Sequence, residues 1–251
     1  MPKQHEYQKD YSLHAPAVLD TEVRVQKAAK LLSVLEDAGL LARNNNLAID
    51  IGCSGGFFVQ ALSDFYAKVI GIDIDTHALV LANQACAGKN IELVVADSMR
   101  MPIADNSVDL VICNHVYEHV PDAEKLFSEI HRILRKDGAC YFGAASRLTL
   151  VEPHYHLPFL SWLPKTMAHL YMRMTGKGDY YYENLRTYWG IKKLVKGFSV
   201  NDYTLKIVSD PDRYKARDLI KKGSMLEKIP LFVWKLFYRF LPGYIYILTR
   251  K

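Results

Sequence analysis

The sequence predicts an α/β fold, a mostly parallel sheet of seven strands with helices on both faces. Three observations carry this. Short apolar runs at 47–51, 68–74, 91–95, 108–113 and 139–144 recur through the first 150 residues, with helical spacing between most of them. Strands alternating with helices in this rhythm build parallel crossovers, whose strands are buried on both faces. At the first crossover, a strand carrying Asp50 near its end runs into three glycines, Gly52, Gly55 and Gly56. A chain of 251 residues buries a full core as one domain, and its composition is that of an ordinary globular protein.

In order, residues 5 to 19 mix Tyr7, Tyr11, His14 and Pro16 without period and read as an irregular arm. A helix from Thr21 to Ala38 carries Val25, Ala28, Leu32 and Leu35 on one face and stops at Gly39. Leu47 to Ile51 is the first strand, followed by a helix over 56–66. Lys68 to Ile74 is the second strand, and Asp75 or Thr76 caps a helix to Ala87. Ile91 to Val95, the third, is followed by Asp97-Ser98-Met99. Val108 to Cys113, the fourth, opens into the loop Asn114 to Val120. The next helix has the apolar face Leu126, Phe127, Ile130, Ile133 and Leu134, with Arg132, Arg135 and Lys136 in its last turn and Gly138 ending it. Ala139 to Ala144 is the fifth strand. An insertion over 147–186 then breaks the rhythm, which resumes with a helix from Tyr188 to Lys196 and a strand from Ser199 to Val208. A second insertion, 210–242, precedes the last strand, Tyr244 to Thr249.

The first crossover names a ligand class. A strand, a tight glycine turn and a helix start present backbone N–H groups to a small molecule. The dinucleotide pattern Gly-x-Gly-x-x-Gly fails twice, because Ser54 and Phe57 stand at its second and third glycines. A phosphate-cradling loop needs Gly-Lys-Ser/Thr, which Phe57-Phe58 does not supply. The acid two positions before Gly52 suits a ligand with a positive end. Asp73, at the end of the second strand and 23 positions after Asp50, is placed to accept both hydroxyls of a ribose.

These residues resemble the first motif of the class I S-adenosylmethionine-dependent methyltransferases, Asp/Glu-x-Gly-x-Gly-x-Gly, matched at Asp50, Gly52 and Gly56 with Ser54 replacing the middle glycine. The resemblance runs over 47–146. It includes Asp73, Asp97-Ser98, Met101-Pro102 before Asn106-Ser107-Val108-Asp109, and Glu118-His119-Val120-Pro121 in the family's order. It is greatest toward the quinone-biosynthesis and small-molecule branch. The resemblance implies a Rossmann-like fold with an antiparallel final strand, and S-adenosylmethionine as cofactor. It places Asp50 and Gly52 near the methionine moiety, Asp73 on the ribose, Asp97, Ser98 and Met99 around the adenine, and Asn114 beside the sulfonium. Ser54, Gly56 and Ile74 complete the expected cofactor set. The expected organisation is an N-terminal arm and helix (1–46), the cofactor-binding core (47–146), an acceptor lid (147–186), and the remaining core (187–251) with an amphipathic insertion (210–242).

Both insertions are expected to lie at the core's edge, where a lid over the acceptor belongs. The first holds Glu152-Pro153-His154-Tyr155-His156 and Tyr180-Tyr181-Tyr182. Methyl transfer to a hydroxyl needs a base that titrates near neutrality, usually histidine. The candidates are His154 and His156, which share one face in an extended segment, and His115 beside the cofactor loop. His119 belongs to the family's Glu-His-Val pattern, which favours a structural role. His154, His156 and Glu152 are an incomplete metal set, and no metal is expected.

Charge is uneven: residues 1–150 carry 14 Lys and Arg against 19 Asp and Glu, and residues 151–251 carry 18 against 8. The basic second part suggests an anionic partner. Lys228 to Leu241 reads as a mostly apolar helix with Trp234 and a basic stripe of Lys228, Lys235 and Arg239, suited to a bilayer interface. A lid or dimer seam is the other reading of that stretch. Four widely spaced cysteines and no signal-peptide pattern at the N-terminus point to a cytoplasmic protein, and the 228–241 stretch would make it peripheral on the cytoplasmic membrane face. No 18-residue uncharged stretch suggests a span. The expected activity is O-methylation of a lipid-like or lipid-linked acceptor. The alternatives are a soluble metabolite or sugar as acceptor, or a scaffold that binds the cofactor without turnover. Nucleic acid is not an expected partner, since no basic-aromatic strip or base pocket is visible.

Overall fold

The computed structural model describes residues 8–14, 20–41 and 46–251. Seven strands form one sheet: β1 (Leu47–Ile51), β2 (Lys68–Asp73), β3 (Ile91–Val95), β4 (Val108–Asn114), β5 (Leu134–Ala145), β6 (Phe198–Asp202) and β7 (Gly243–Arg250). Their order is β3-β2-β1-β4-β5-β7-β6. The pairs among β1 to β5 are parallel, while β7 runs antiparallel to both β5 and β6. This is the mostly parallel sheet that the sequence predicts, with the antiparallel closing strand that the resemblance implies. The order reverses at β1, between β2 and β4, so a crevice opens beyond the carboxyl ends of those strands.

The helices are α1 (Tyr11–His14), α2 (Thr21–Asp37), α3 (Phe57–Leu62), α4 (Thr76–Cys86), α5 (Ala123–Ile133), α6 (Lys165–Met174), α7 (Tyr188–Leu194), α8 (Thr204–Ser209) and α9 (Leu231–Leu236). The longer ones start where a side chain caps them. Asp20, Asp75 and Asp122 accept the backbone N–H of Val23, Ala78 and Lys125, respectively. Two apolar layers cover the sheet. One is built from α5 and α7 residues such as Leu126, Phe127, Ile130 and Ile191, the other from α2 and α3 residues such as Leu31, Leu35, Val59 and Leu62. All four cysteines are buried free thiols.

Several boundaries depart from the pattern reading. Helix α2 buries Ala28, Leu31, Val34 and Leu35 and leaves Val25 exposed, so its inward face is rotated from the expected one. Helix α5 stops at Ile133, and Arg135, Lys136 and Gly138 already lie in β5, where a register shift between Val108 and Leu110 absorbs the extra residues. The stretch read as one strand to Val208 turns at Tyr203 into α8. Asp202 accepts the Thr204 N–H at 2.8 Å, and the Thr204 hydroxyl accepts the Ile245 N–H at 3.1 Å. The stretch 228–241 is not one helix: Pro230 separates a short 3₁₀ turn (Leu226–Lys228) from α9, and a second 3₁₀ turn (Tyr238–Phe240) follows. The basic stripe therefore does not run down a single helix, although Lys228, Lys235 and Arg239 are all exposed.

The second insertion packs on α2 rather than over the crevice. Tyr214, Ala216 and Ile220 are buried, Lys30 pairs with Asp218 at 2.6 Å, and Arg213 pairs with Asp37. Lys30 is 6 % exposed, so its ammonium depends on that carboxylate. Replacing Asp218 by Ala strands the charge and is expected to cost about 3 kcal/mol in denaturant unfolding. The double change Lys30→Met, Asp218→Leu recovers most of the loss. A single variant as stable as the parent contradicts this packing.

Candidate active site

A cavity of about 420 Å³ opens over the crevice at the ends of β1, β2 and β4. Its volume falls in the range of small-molecule pockets. One part of its wall is Gly52, Ser54, Asp73, Ile74, Asp97, Ser98 and Asn114. The loops leaving β1 and β2 hold these residues by hydrogen bonds to one carboxylate. Asp73 accepts the Ser54 N–H at 2.8 Å and the Asp75 N–H at 3.0 Å, while the N–H groups of Gly52 and Cys53 donate to the Ile72 carbonyl. Asp97 likewise folds its own loop by accepting the Met99 N–H at 2.8 Å.

Three expected cofactor residues lie off the wall. Met99 packs against the core instead. Gly56 caps α3 with a φ of 80° and faces Ala82 and Cys86 of α4, so it spaces two helices. Asp50 is 2 % exposed and does not line the cavity. Its Oδ2 is buried with no hydrogen-bond partner among the described residues. Burial and then the neighbouring Asp73 push its carboxyl well above the usual range, against the pull of Arg24. Two neighbouring acids, one on the cavity wall and one buried behind it, disfavour each other's charge, and a cation bound in the cavity relieves both.

Sequence reasoning missed the wall's other side. Gln8, Tyr11, Asp20, Arg24 and Lys27, from the arm and α2, close the cavity. The arm is tied down where Ser12 donates its N–H to Asp75 at 2.7 Å. Tyr7 and Pro16 lie outside the described residues. The only local signal was an arm rich in polar and aromatic residues without period. Gly143 was missed as well. It sits on β5 beside Asn114, and a Cβ there would come within 1.9 Å of the Asn114 Oδ1.

Another part of the wall carries four imidazoles, His115 and His119 from the loop after β4, and His154 and His156 from the first insertion. The insertion has its own small core of Leu157, Leu160, Ala168, Met172 and Tyr181. The segment around His154 and His156 is not extended. The His156 N–H donates to the Glu152 carbonyl at 2.9 Å, and His156 has a φ of 56°, so the two rings do not share a strand face. No residue of the second insertion lines this cavity, which corrects the expectation of a two-part lid.

Buried carboxylates stand behind the imidazoles. Glu118, Glu152 and Glu183 are each 1 % exposed or less. His115 Nδ1 lies 3.1 Å from Glu118 Oε1. Its backbone has a φ of 58°, a strained conformation for a non-glycine residue. Glu152 Oε2 accepts the backbone N–H groups of His154 and Tyr155, and its Oε1 lies 2.7 Å from His154 Nδ1. Burial alone would lower the His154 pKa. The Glu152 hydrogen bond and the charges of Glu183 and Glu118 outweigh it and push the imidazole up to about 9. His119, by contrast, is pushed down to about 4, by burial first and then by His154. At neutral pH one ring is therefore an imidazolium and its neighbour is neutral. Their centroids lie 4.8 Å apart, edge to face.

The sheet order and an acid-lined crevice at its switch point are the arrangement that the resemblance to the class I S-adenosylmethionine-dependent methyltransferases implies. Residues 49–142 match the family described as a methyltransferase domain. The chain is similar to malonyl-acyl-carrier protein O-methyltransferase 1 of Coxiella burnetii, 28% identical over 143 residues that cover 57% of this chain and 49% of that protein. It is similar to the demethylmenaquinone methyltransferase of Lactobacillus johnsonii, 33% identical over 106 residues, 39% of this chain and 43% of that one. The chain thus spans about half the length of these curated relatives. In fold it is similar to Haemonchus contortus phosphoethanolamine N-methyltransferase 2, solved with phosphomonomethylethanolamine and S-adenosylhomocysteine. That likeness has a TM-score of 0.54 and 20% identity, and covers 87% of this chain and 52% of that one.

Gly143→Ala drives a methyl group into the Asn114 side chain. It is expected to weaken S-adenosylhomocysteine binding roughly tenfold, the share of a 1–3 kcal/mol overpacking cost that falls on the site. Equilibrium dialysis measures this, and unchanged affinity would show that Asn114 plays no part in holding the nucleoside.

Proposed function

We propose that the chain transfers the methyl group of S-adenosylmethionine to an oxygen of a lipid-like or lipid-linked acceptor at an anionic membrane surface. The carrying observation is one cavity with two chemistries on its wall, an acid-lined crevice on one part and four imidazoles backed by buried carboxylates on another. The residues fit the cofactor. Asp73 accepts the ribose hydroxyls with the lone pairs its backbone partners leave, and Asp97 and Ser98 border the adenine. Ser54 Oγ, buried with no partner among the described residues, gains one. Arg24 pairs with the amino-acid carboxylate, and Asp50 with Asp73 offsets the donor's positive charge. Bound there, the donor supplies a methyl already activated on a sulfonium, so the protein's task is alignment and exclusion of water.

The acceptor's proton goes to His115. This ring follows Asn114 directly, lines the cavity, and has its Nδ1 oriented by Glu118, which leaves Nε2 to accept. His154 is unsuited as the resting base, because its buried carboxylate neighbours hold it as an imidazolium. His156 lines the same end and positions the acceptor.

The membrane part of the reading is supported by the second insertion. Met225, Phe232, Leu236, Phe237 and Phe240 are between 54 % and 85 % exposed, too much apolar surface in one short stretch for an ordinary solvated loop. Lys221, Lys222, Lys228, Lys235 and Arg239 are exposed among them. Aromatic residues interleaved with cations suit an interface with anionic headgroups. Among the described residues no helix is long and apolar enough to cross a membrane. The Coxiella relative's name specifies an O-methyltransferase of a carrier-linked malonyl group, which supports an oxygen acceptor, and the Lactobacillus relative's names demethylmenaquinone, which supports a lipid-like one.

With labelled donor and fractionated cell extract, counts are expected in the lipid fraction. His115→Gln should lower turnover by roughly 10²- to 10⁴-fold with donor affinity kept. The protein should float with vesicles containing phosphatidylserine, and Phe232→Ser with Leu236→Ser should release it. Counts confined to the aqueous fraction, or no flotation, would rule the lipid reading out.

A further inference from the structure

We infer that Glu118, His119 and His154 form a site for one divalent transition-metal cation at the seam between the first insertion and the core. The inference deepens the methyltransferase reading, on which it rests for the acceptor end of the cavity. Each residue offers a ligand atom, and these atoms lie within 4.8 Å of one another. Nitrogen and oxygen ligands sit about 2.0–2.2 Å from zinc, so closing this set around an ion takes shifts of less than about 1 Å.

Two independent features prepare the set for a cation. Glu118 is fully buried; its Oε1 contacts His115, and its Oε2 has no hydrogen-bond partner among the described residues. A buried carboxylate oxygen left so is costly, and a cation beside it removes the cost. His154 is oriented as metal-binding histidines are: its Nδ1 faces a carboxylate, Glu152 Oε1 at 2.7 Å, and its Nε2 takes the ion in exchange for its proton, which is released to solvent. Glu152 is itself fixed by two backbone N–H groups of the same turn. The ligand atom is therefore aimed before any ion arrives.

Two imidazoles and one carboxylate select zinc, manganese, iron or cobalt over magnesium and calcium, which prefer all-oxygen shells. Three protein ligands leave coordination positions open. Both imidazoles line the cavity, so the open positions face the acceptor end. The ion would tie the insertion to the loop after β4 and bind an acceptor oxygen, making its hydroxyl easier to deprotonate.

Cobalt(II) is the probe, used on the 251-residue chain after stripping with a chelator. The expected result is uptake of one ion per chain with visible ligand-field absorption. His154→Ala and Glu118→Gln should lose this uptake with their circular dichroism intact, and Glu152→Gln should bind roughly ten- to a hundredfold more weakly. His131→Ala should match the parent. S-adenosylhomocysteine binding on the same samples reads the nucleoside crevice separately. Parent protein that binds the nucleoside yet takes up no cobalt overturns the metal site alone. Equal uptake by parent and His154→Ala overturns it as well.

Discussion

The site depends on a single carboxylate. Asp73 ends β2 and accepts backbone N–H groups from two loops, Ser54 after β1 and Asp75 after β2. It thereby fixes the glycine turn against the neighbouring strand and closes the first turn toward α4. Burial pushes its carboxyl up, and the backbone donors pull it back. The same side chain lines the cavity. One residue thus sets the shape of the crevice and presents the acceptor atoms that a ribose requires.

The cavity's electrostatics follow from that arrangement. A parallel sheet supplies helix starts at its carboxyl ends, which favour anions such as a pyrophosphate. Here Asp50 and Asp73 stand at the switch point, and the third position of the dinucleotide pattern is Phe57. The balance shifts toward a ligand whose reactive end is positive, with the Arg24 guanidinium on the same wall to face an anionic group. The acceptor end repeats the theme with Glu118, Glu152 and Glu183 buried behind histidines. Burying three carboxylates is expensive unless protons, hydrogen bonds or a cation compensate. That cost is most readily understood as preparation for chemistry, since interior packing alone would favour apolar residues.

The mostly parallel sheet and the acidic crevice residues were legible because each is written in a short stretch. Apolar runs with an acid at the carboxyl end need no distant partner to be recognised. What was not legible depends on contacts far apart in the chain. Arg24 enters the cavity only because α2 lies across its mouth, and the second insertion leaves the cavity because Asp218 finds Lys30, 188 residues away. The inward face of α2 was misplaced because that insertion covers a side which periodicity assigns to solvent. His154 and His156 were read as a pair on an extended segment. A turn at Glu152 instead gives His154 a carboxylate and brings it to Glu118 and His119, from a loop some 35 residues earlier. Gly143 reads as an ordinary strand glycine in the sequence, and only the fold places the Asn114 side chain in the space beside it.

The central claim is that a nucleoside occupies the crevice with its ribose on Asp73. The most direct test is a crystal structure of the chain with S-adenosylhomocysteine. Both ribose hydroxyls are predicted to lie within about 3.2 Å of the Asp73 carboxylate, with the adenine against Asp97 and Ser98. A nucleoside bound elsewhere, or a ribose that does not touch Asp73, would contradict it.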